Sequence, residues 1–242
     1  MSYSVSHWSG RLGNNIQQVA NCIMSAKFNN QEFVQTLDHD IISKFVISFG
    51  DGNANASGRF YAWEPLVHCE KGCLEGGNEI GITKEHVYEN MHETCKKFVS
   101  PFLALPKKEV IGDETIVMHL RSGDNYHRIF DPPTNYIPNP LIYYLNLIDS
   151  FEKVADDFAT LMNAKNVALS GVGTFAMAAA LCSSVLENLF TTDLLLTEHL
   201  NYSMLLNTSV NVHVMELENY LSVFPCSWRN TEEQRKFILE YK

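Results

Sequence analysis

No run of apolar residues in the 242-residue chain approaches the roughly 20 needed to cross a bilayer, so a membrane-spanning helix is not expected. Positive charge is also scarce. The chain has 18 lysines and arginines against 28 acidic residues, a formal net charge of −10. So acidic a protein lacks the electrostatic footprint of a nucleic-acid binder. Only six of the basic residues are arginines, and Arg11, Arg121 and Arg128 fall in or beside two short motifs. Arginine placed that way points to a locally held anion. The stretch MSYSVSHWSGRLG has neither the charged nor the apolar region of a secretory signal, so the expectation is a cytoplasmic protein or a domain of a longer chain.

Other signatures are missing as well. There is no G-x-G-x-x-G dinucleotide fingerprint and no G-x-x-x-x-G-K-[ST] phosphate loop. The H-x-E with P-C-x-x-C of a nucleobase deaminase is absent, and PCSW at 225–228 does not supply it. Six cysteines stand at 22, 69, 73, 95, 182 and 226. Without an export signal their thiols are expected to be reduced. His68 to Cys73 (HCEKGC), with His92 and Cys95, has zinc-ligand types, but the two pairs repeat no compact C-x-x-C spacing. No metal and no cofactor is expected. The sequons at Asn55, Asn201 and Asn207 matter only in a secreted chain.

What is present is an alternation of strand and helix patterns. Residues 3–7 read as a short strand, WSGRLGNN as a glycine turn, and 15–27 as a helix with apolar side chains at Ile16, Val19, Ala20, Ile23 and Met24. Strands are expected at 32–37 and 44–50, and a long Gly- and Asn-rich loop over 50–81 with a strand in RFYAWEPLV. A helix is expected over 84–100. PFLALPKKEV (101–110), with two prolines, is the candidate linker. Beyond it come a buried strand at 114–120, a helix at 139–151, a strand at 166–170, a glycine turn with an apolar helix, a strand at 211–217 and a closing helix. Thr231 and Gln234 in that last helix have capping-box spacing. The fold class is α/β with mainly parallel strands, in two Rossmann-like halves, 1–105 and 106–242.

Three motifs fall beyond strand ends, where such folds bind ligands. In SGRLGNN, Gly10 and Gly13 let another group approach the main chain, and the following helix offers unpaired N–H groups. Asn14 or Asn15 is its candidate N-cap. In HLRSGD, Arg121 offers a planar fork for phosphate or carboxylate, and His119 lies on the same side of the strand. Asp124 can orient Arg121, hold the loop or accept a proton. In SGVGTF, Ser170, Gly171, Gly173 and Thr174 open a second helix with small residues and free backbone donors. Each motif alone also reads as an ordinary turn, cap or ion pair. Together they suit a nucleotide diphosphate.

These residues resemble a known family. GRLGNN is similar to the GRxGN loop of fucosyltransferases, and HLRSGD to the H-x-R-x-G-D motif of the α-1,2-, α-1,6- and protein O-fucosyltransferase superfamily. SGVGTFAMAAALCS resembles that family's late S-x-x-T-F segment, and the motifs follow in the family's order from residue 9 to about 184. The resemblance implies an inverting, metal-independent glycosyltransferase of GT-B-like fold, with two Rossmann-like domains across a donor cleft. It implies that Arg121 binds the donor β-phosphate and that His119 lines the donor site. Gly13 and Asn14, with Asn15 and Arg11 beside them, approach the donor from the first half. Ser170, Gly171, Gly173, Thr174 and Phe175 would hold the diphosphate and ribose, and Asp157 is a further base or ribose contact. The donor implied is GDP-L-fucose, or another 6-deoxy-L-sugar nucleotide such as UDP-L-rhamnose, and the acceptor a glycan hydroxyl. The chain departs from the pattern at Ser122, where many relatives carry a second arginine, and it is short, which fits one domain of a longer multi-domain glycosyltransferase.

Inversion calls for a base on the acceptor hydroxyl. The candidates are Asp124, His127, Asp38 and Asp40. Asp38 and Asp40 also form a D-x-D pair, the form that metal-dependent transferases use to hold a divalent cation, and that is a competing reading. A non-catalytic nucleotide-sugar-binding module is another.

Overall fold

The computed structural model describes residues 2–5, 7–8, 10–50, 58–60, 84–119, 138–148, 158–170, 173–194, 200–220 and 231–241. Among them lie two four-stranded sheets. The first contains β1 (Ser2–Val5), β2 (Glu32–Val34), β3 (Val46–Ser48) and β4 (Gly58–Phe60). β1 runs parallel to β2 and to β4, while β3 closes one edge antiparallel to β2. Between β1 and β2 the chain crosses over through α1 (Leu12–Phe28). The second sheet is wholly parallel, in the order β5 (Ile111–Met118), β6 (Ala164–Ala168), β7 (Asn188–Thr192), β8 (Asn211–Met215). A mixed α/β architecture is therefore present, with a wholly parallel sheet compatible with a Rossmann-like fold. No helix among the described residues is long and apolar enough to cross a membrane.

The remaining α-helices among the described residues are α2 (Lys84–Thr94), α3 (Leu141–Ile148), α4 (Phe158–Met162), α5 (Thr174–Cys182) and α6 (Glu232–Glu240). The helix expected over 84–100 changes character: after Thr94 it widens into a π-helical turn, Cys95–Val99, then tightens into a 3-10 turn, Ser100–Phe102, at Pro101. The capping box at the start of α6 forms as expected. Thr231 Oγ1 accepts from Gln234 N–H at 3.2 Å, and Gln234 Oε1 accepts from Thr231 N–H at 3.3 Å. A local signal of this kind needs no tertiary partner.

One continuous core of buried side chains joins the two sheets. Tyr3, Ile16, Ile23 and Phe33 belong to it, and so do Val117, Leu161, Val167, Met177 and Leu189. Small residues make this possible. Ala176, Ala178, Ala179 and Ala180 keep much of α5 slim, and it packs closely against α1 and the π-helical turn. The proline-rich 101–110 segment, a linker candidate by composition, is tied down at its start. Ser43 N–H donates to Phe102 O at 2.9 Å, Ala104 N–H donates to Ile41 O at 2.7 Å, and Phe102 stacks on Phe45 at 4.0 Å.

The register of β5 against β6 shifts between Ile111 and Ile116, which marks a bulge. Asn166 on β6 holds it. Its amide donates to the carbonyls of Asp113 at 2.9 Å and Thr115 at 3.2 Å, and its Oδ1 accepts from Asn188 at 2.8 Å. Asn188 in turn accepts from its register partner Asn211 at 3.2 Å. Asn166→Ala strands the bulge carbonyls and breaks this amide ladder. A loss of about 2 kcal/mol is expected, read as a lower urea midpoint with an unchanged m-value.

Candidate functional site

Two glycine turns bring two helix N-termini together. β1 leads through Gly10, at φ +76°, into α1, and β6 leads through Ser170 into α5. The amino ends of the two helices meet at Gly13. A methyl group there would lie 2.5 Å from the Thr174 carbonyl carbon and 2.7 Å from the Phe175 nitrogen. Thr174 Oγ1 donates a hydrogen bond to Asn14 Oδ1 across the junction. Neither helix has an acidic residue in its first turn, and neither is capped by its N-cap side chain. Two positive dipole ends thus adjoin with no carboxylate of their own to offset them.

Around this junction stand several of the expected donor residues. His119 follows β5 and donates its backbone N–H to Ala168 O at 3.1 Å. Its Nδ1 shares a 2.8 Å hydrogen bond with the buried Ser170 hydroxyl, and its ring lies 5.4 Å from that of Phe175. Phe158 of α4 packs edge-on against Phe175, with ring centroids 5.1 Å apart. Asn14, His119, Ser170, Gly173, Thr174 and Phe175 are therefore gathered at the carboxyl ends of β5 and β6 and the start of α1. Arg121, Asp124, His127, Asp157 and Gly171 lie outside the described residues.

The start of α1 differs from expectation. The N-cap is Arg11, exposed and extended at φ −106°, and neither Asn14 nor Asn15 caps the helix. Asn15 N–H already bonds Arg11 O at 3.0 Å, so both asparagines sit inside the first turn. Their side chains serve other partners. Asn14 takes Thr174, while buried Asn15 donates to Gln18 Oε1 at 3.1 Å and faces His39 Nε2 at 3.2 Å.

His39 is a residue that the sequence reading passed over in favour of the carboxylates on either side of it. It follows β2, and its Nδ1 accepts two backbone N–H groups, from Ile41 at 3.0 Å and Ile42 at 3.1 Å. That fixes the tautomer, so Nε2 carries the proton and donates to Asn15 Oδ1. The donation continues in one direction, from Asn15 to Gln18 and from Gln18 Nε2 to His7 O at 3.0 Å. Trp8 Nε1 donates to Asp38 O at 2.7 Å, and the indole packs edge-on against the His39 ring at 4.8 Å. The loops after β1 and β2 are stitched together beneath the first turn of α1. Burial holds the pKa of His39 below the ordinary histidine range, although Asp40 pulls the other way.

Asp38 and Asp40 are both exposed, and Asp38 pairs with Lys44 at 2.7 Å. Among the described residues, no three His, Cys, Asp or Glu side chains are gathered as a metal site requires. No protein-family model, no curated protein and no solved structure matches the chain.

Proposed function

We propose that the chain is an inverting glycosyltransferase that moves a 6-deoxy-L-sugar, L-fucose or L-rhamnose, from a nucleotide-diphosphate donor to a glycan hydroxyl. The observation that carries this reading is the meeting at Gly13 and Thr174 of two helix N-termini whose N-cap side chains make no capping bond, beside the His119–Ser170 pair. Adjoining positive dipole ends repel one another, and an anion held beside their junction relieves that repulsion. A diphosphate supplies such an anion, and its charge grows as the sugar–oxygen bond breaks. Donors fixed in advance then stabilise the transition state more than the ground state. Arg121, two positions after His119 in the sequence, adds a charged fork to the leaving diphosphate in this reading, and a divalent metal is not required. Asp124, His127, Asp38 and Asp40 are the base candidates.

The test is a thermal-shift panel with GDP, UDP, GDP-L-fucose and UDP-L-rhamnose, each with EDTA and with manganese. A donor present at a hundred times its Kd stabilises by about 2.7 kcal/mol, a rise of roughly 5–10 °C for a chain of this size. A rise in EDTA with one nucleotide family supports the proposal. A rise with manganese alone supports the D-x-D reading, and no rise with any nucleotide overturns both. Binding without sugar transfer would make the chain a nucleotide-sugar-binding module. Arg121→Ala is expected to lower turnover about a hundredfold with the melting temperature unchanged; normal turnover would remove Arg121 from the site.

A further inference from the structure

β8 ends the strand order of the wholly parallel sheet, beside β7. Its ladder with β7 fixes which way each backbone group points. Asn211 N–H donates to Glu187 O at 2.8 Å, and Met215 O accepts from Asp193 N–H at 3.2 Å. Direction alternates along a parallel strand, so Asn211, His213 and Met215 turn both N–H and C=O toward β7. Val212 and Val214 turn theirs the other way, and among the described residues no strand pairs with them there. Val214 is 39% exposed, with Asn211 and His213 exposed beside it. Sheet edges are usually blunted by lysine, proline or a bulge. β8 has none of these. Its register with β7 is unbroken, and residues 201–215 include no Asp, Glu, Lys, Arg or Pro.

We propose that β8 is the seam of a homodimer, in which it pairs antiparallel with β8 of a second copy about a two-fold axis at His213. The strand is self-complementary in that register. The axis sets Val212 opposite Val214 of the second copy, and Val214 opposite its Val212. These are the residues whose backbone groups point outward, so each pair exchanges both N–H···O bonds. His213 is the middle residue of β8, and an axis there keeps the whole strand, Asn211–Met215, within the pairing. The valines also meet as cross-strand pairs on one face. Charge selects the same arrangement. With a net charge of −10, two copies repel over most of their surface, and the uncharged edge is where they can approach. The first carboxylate beyond β8 is Glu216. Antiparallel pairing sends its two copies to opposite ends of the seam, roughly 20 Å apart at about 3.4 Å per residue. That exceeds the screening length of roughly 8 Å at physiological salt. The seam is short, so the association is weak and depends on concentration. The inference stands apart from the proposed function.

The test is sedimentation velocity on the full chain over rising concentration, where a monomer–dimer equilibrium is expected. Val214→Pro removes an outward N–H and spares the ladder to β7. The two-fold axis removes that bond twice, so association should weaken by about tenfold or more, with the melting temperature close to that of the native chain. If this variant fails to fold, cross-linking decides. His213→Cys places two thiols across a non-hydrogen-bonded pair, where α-carbons lie about 4.5 Å apart, within reach of a disulfide. Treated with oxidised glutathione, it should give a covalent dimer joined through position 213 of both copies, read by mass spectrometry of the unreduced digest. Val214→Cys should give none, because its two α-carbons would stand more than about 7 Å apart. A native chain that stays monomeric up to roughly 1 mM overturns the proposal. So does a dimer that survives Val214→Pro undiminished, or a link that forms as readily through position 214 as through 213.

Discussion

Gly13→Ala is expected to destabilise the protein by about 3 kcal/mol, the upper part of the range for overpacking a filled interior. In an isolated helix the same change would stabilise by roughly 1 kcal/mol, because alanine is the better helix former. The sign therefore reports the tertiary contact. The added carbon would lie 2.5 Å from the Thr174 carbonyl carbon, 2.6 Å from its hydroxyl oxygen and 2.7 Å from the Phe175 nitrogen. The hydroxyl can rotate away, but the two backbone atoms cannot. The amino ends of α1 and α5 must separate, and the Asn14–Thr174 bond must lengthen with them. Thermal unfolding is the measurement, with a midpoint expected to fall by roughly 6–12 °C. A stabilised variant would mean that the two helix ends do not meet. On the proposed function, donor affinity falls further than stability accounts for, because the donor rests against the helix ends that move.

Local chemistry was legible in the sequence, and distant partnership was not. The β1–α1 unit showed itself through an apolar strand, a glycine turn and helical spacing of Ile16, Val19, Ile23 and Met24, all within thirty residues. The capping box at Thr231 and Gln234 showed itself for the same reason. β7 was missed, because NLFTT presents neither alternation nor an apolar run. Its Thr191 and Thr192 are nonetheless buried, and Thr192 donates its hydroxyl to Asn139 at 3.1 Å. α4, at five residues, is too short to show a period. Gly13 was marked for its freedom, yet what approaches it is a backbone far along the chain, which no local window contains. The grouping of Asn14, His119, Ser170 and Thr174 followed from a general rule, that α/β units place loops beyond the carboxyl ends of strands. His39 had a signal of its own, a histidine directly after a strand, but the aspartates beside it drew the reading toward a metal pair.

His39 holds two structures together, and two substitutions separate them. His39→Asn keeps an acceptor near the position of Nδ1, so the turn through Ile41 and Ile42 retains its N–H partner in the manner of an Asx turn. It loses only the donor to Asn15, and a cost of about 1 kcal/mol is expected. His39→Ala loses all three bonds and the packing under Trp8, and should cost about 3 kcal/mol. Acidity should act on the same residue. Its folded pKa is lowered, by burial first, against an unfolded value of about 6.5. Between the two values the unfolded chain binds more protons than the folded one. The contribution of His39 is thus fully present above about pH 6.5, falls away as pH drops toward the folded value, and levels off below it. His92, whose pKa burial also lowers, adds a slope of the same sign. Urea midpoints of the native chain should therefore decline on acidification through this window, and in His39→Asn the decline should be shallower by the share of one histidine. An equal slope in the two proteins would show that Nδ1 can take a proton in place, and that the two backbone donors do not lock the ring. A smaller slope together with weaker donor binding at neutral pH would tie the stitched loops beneath α1 to the work of the helix end above them.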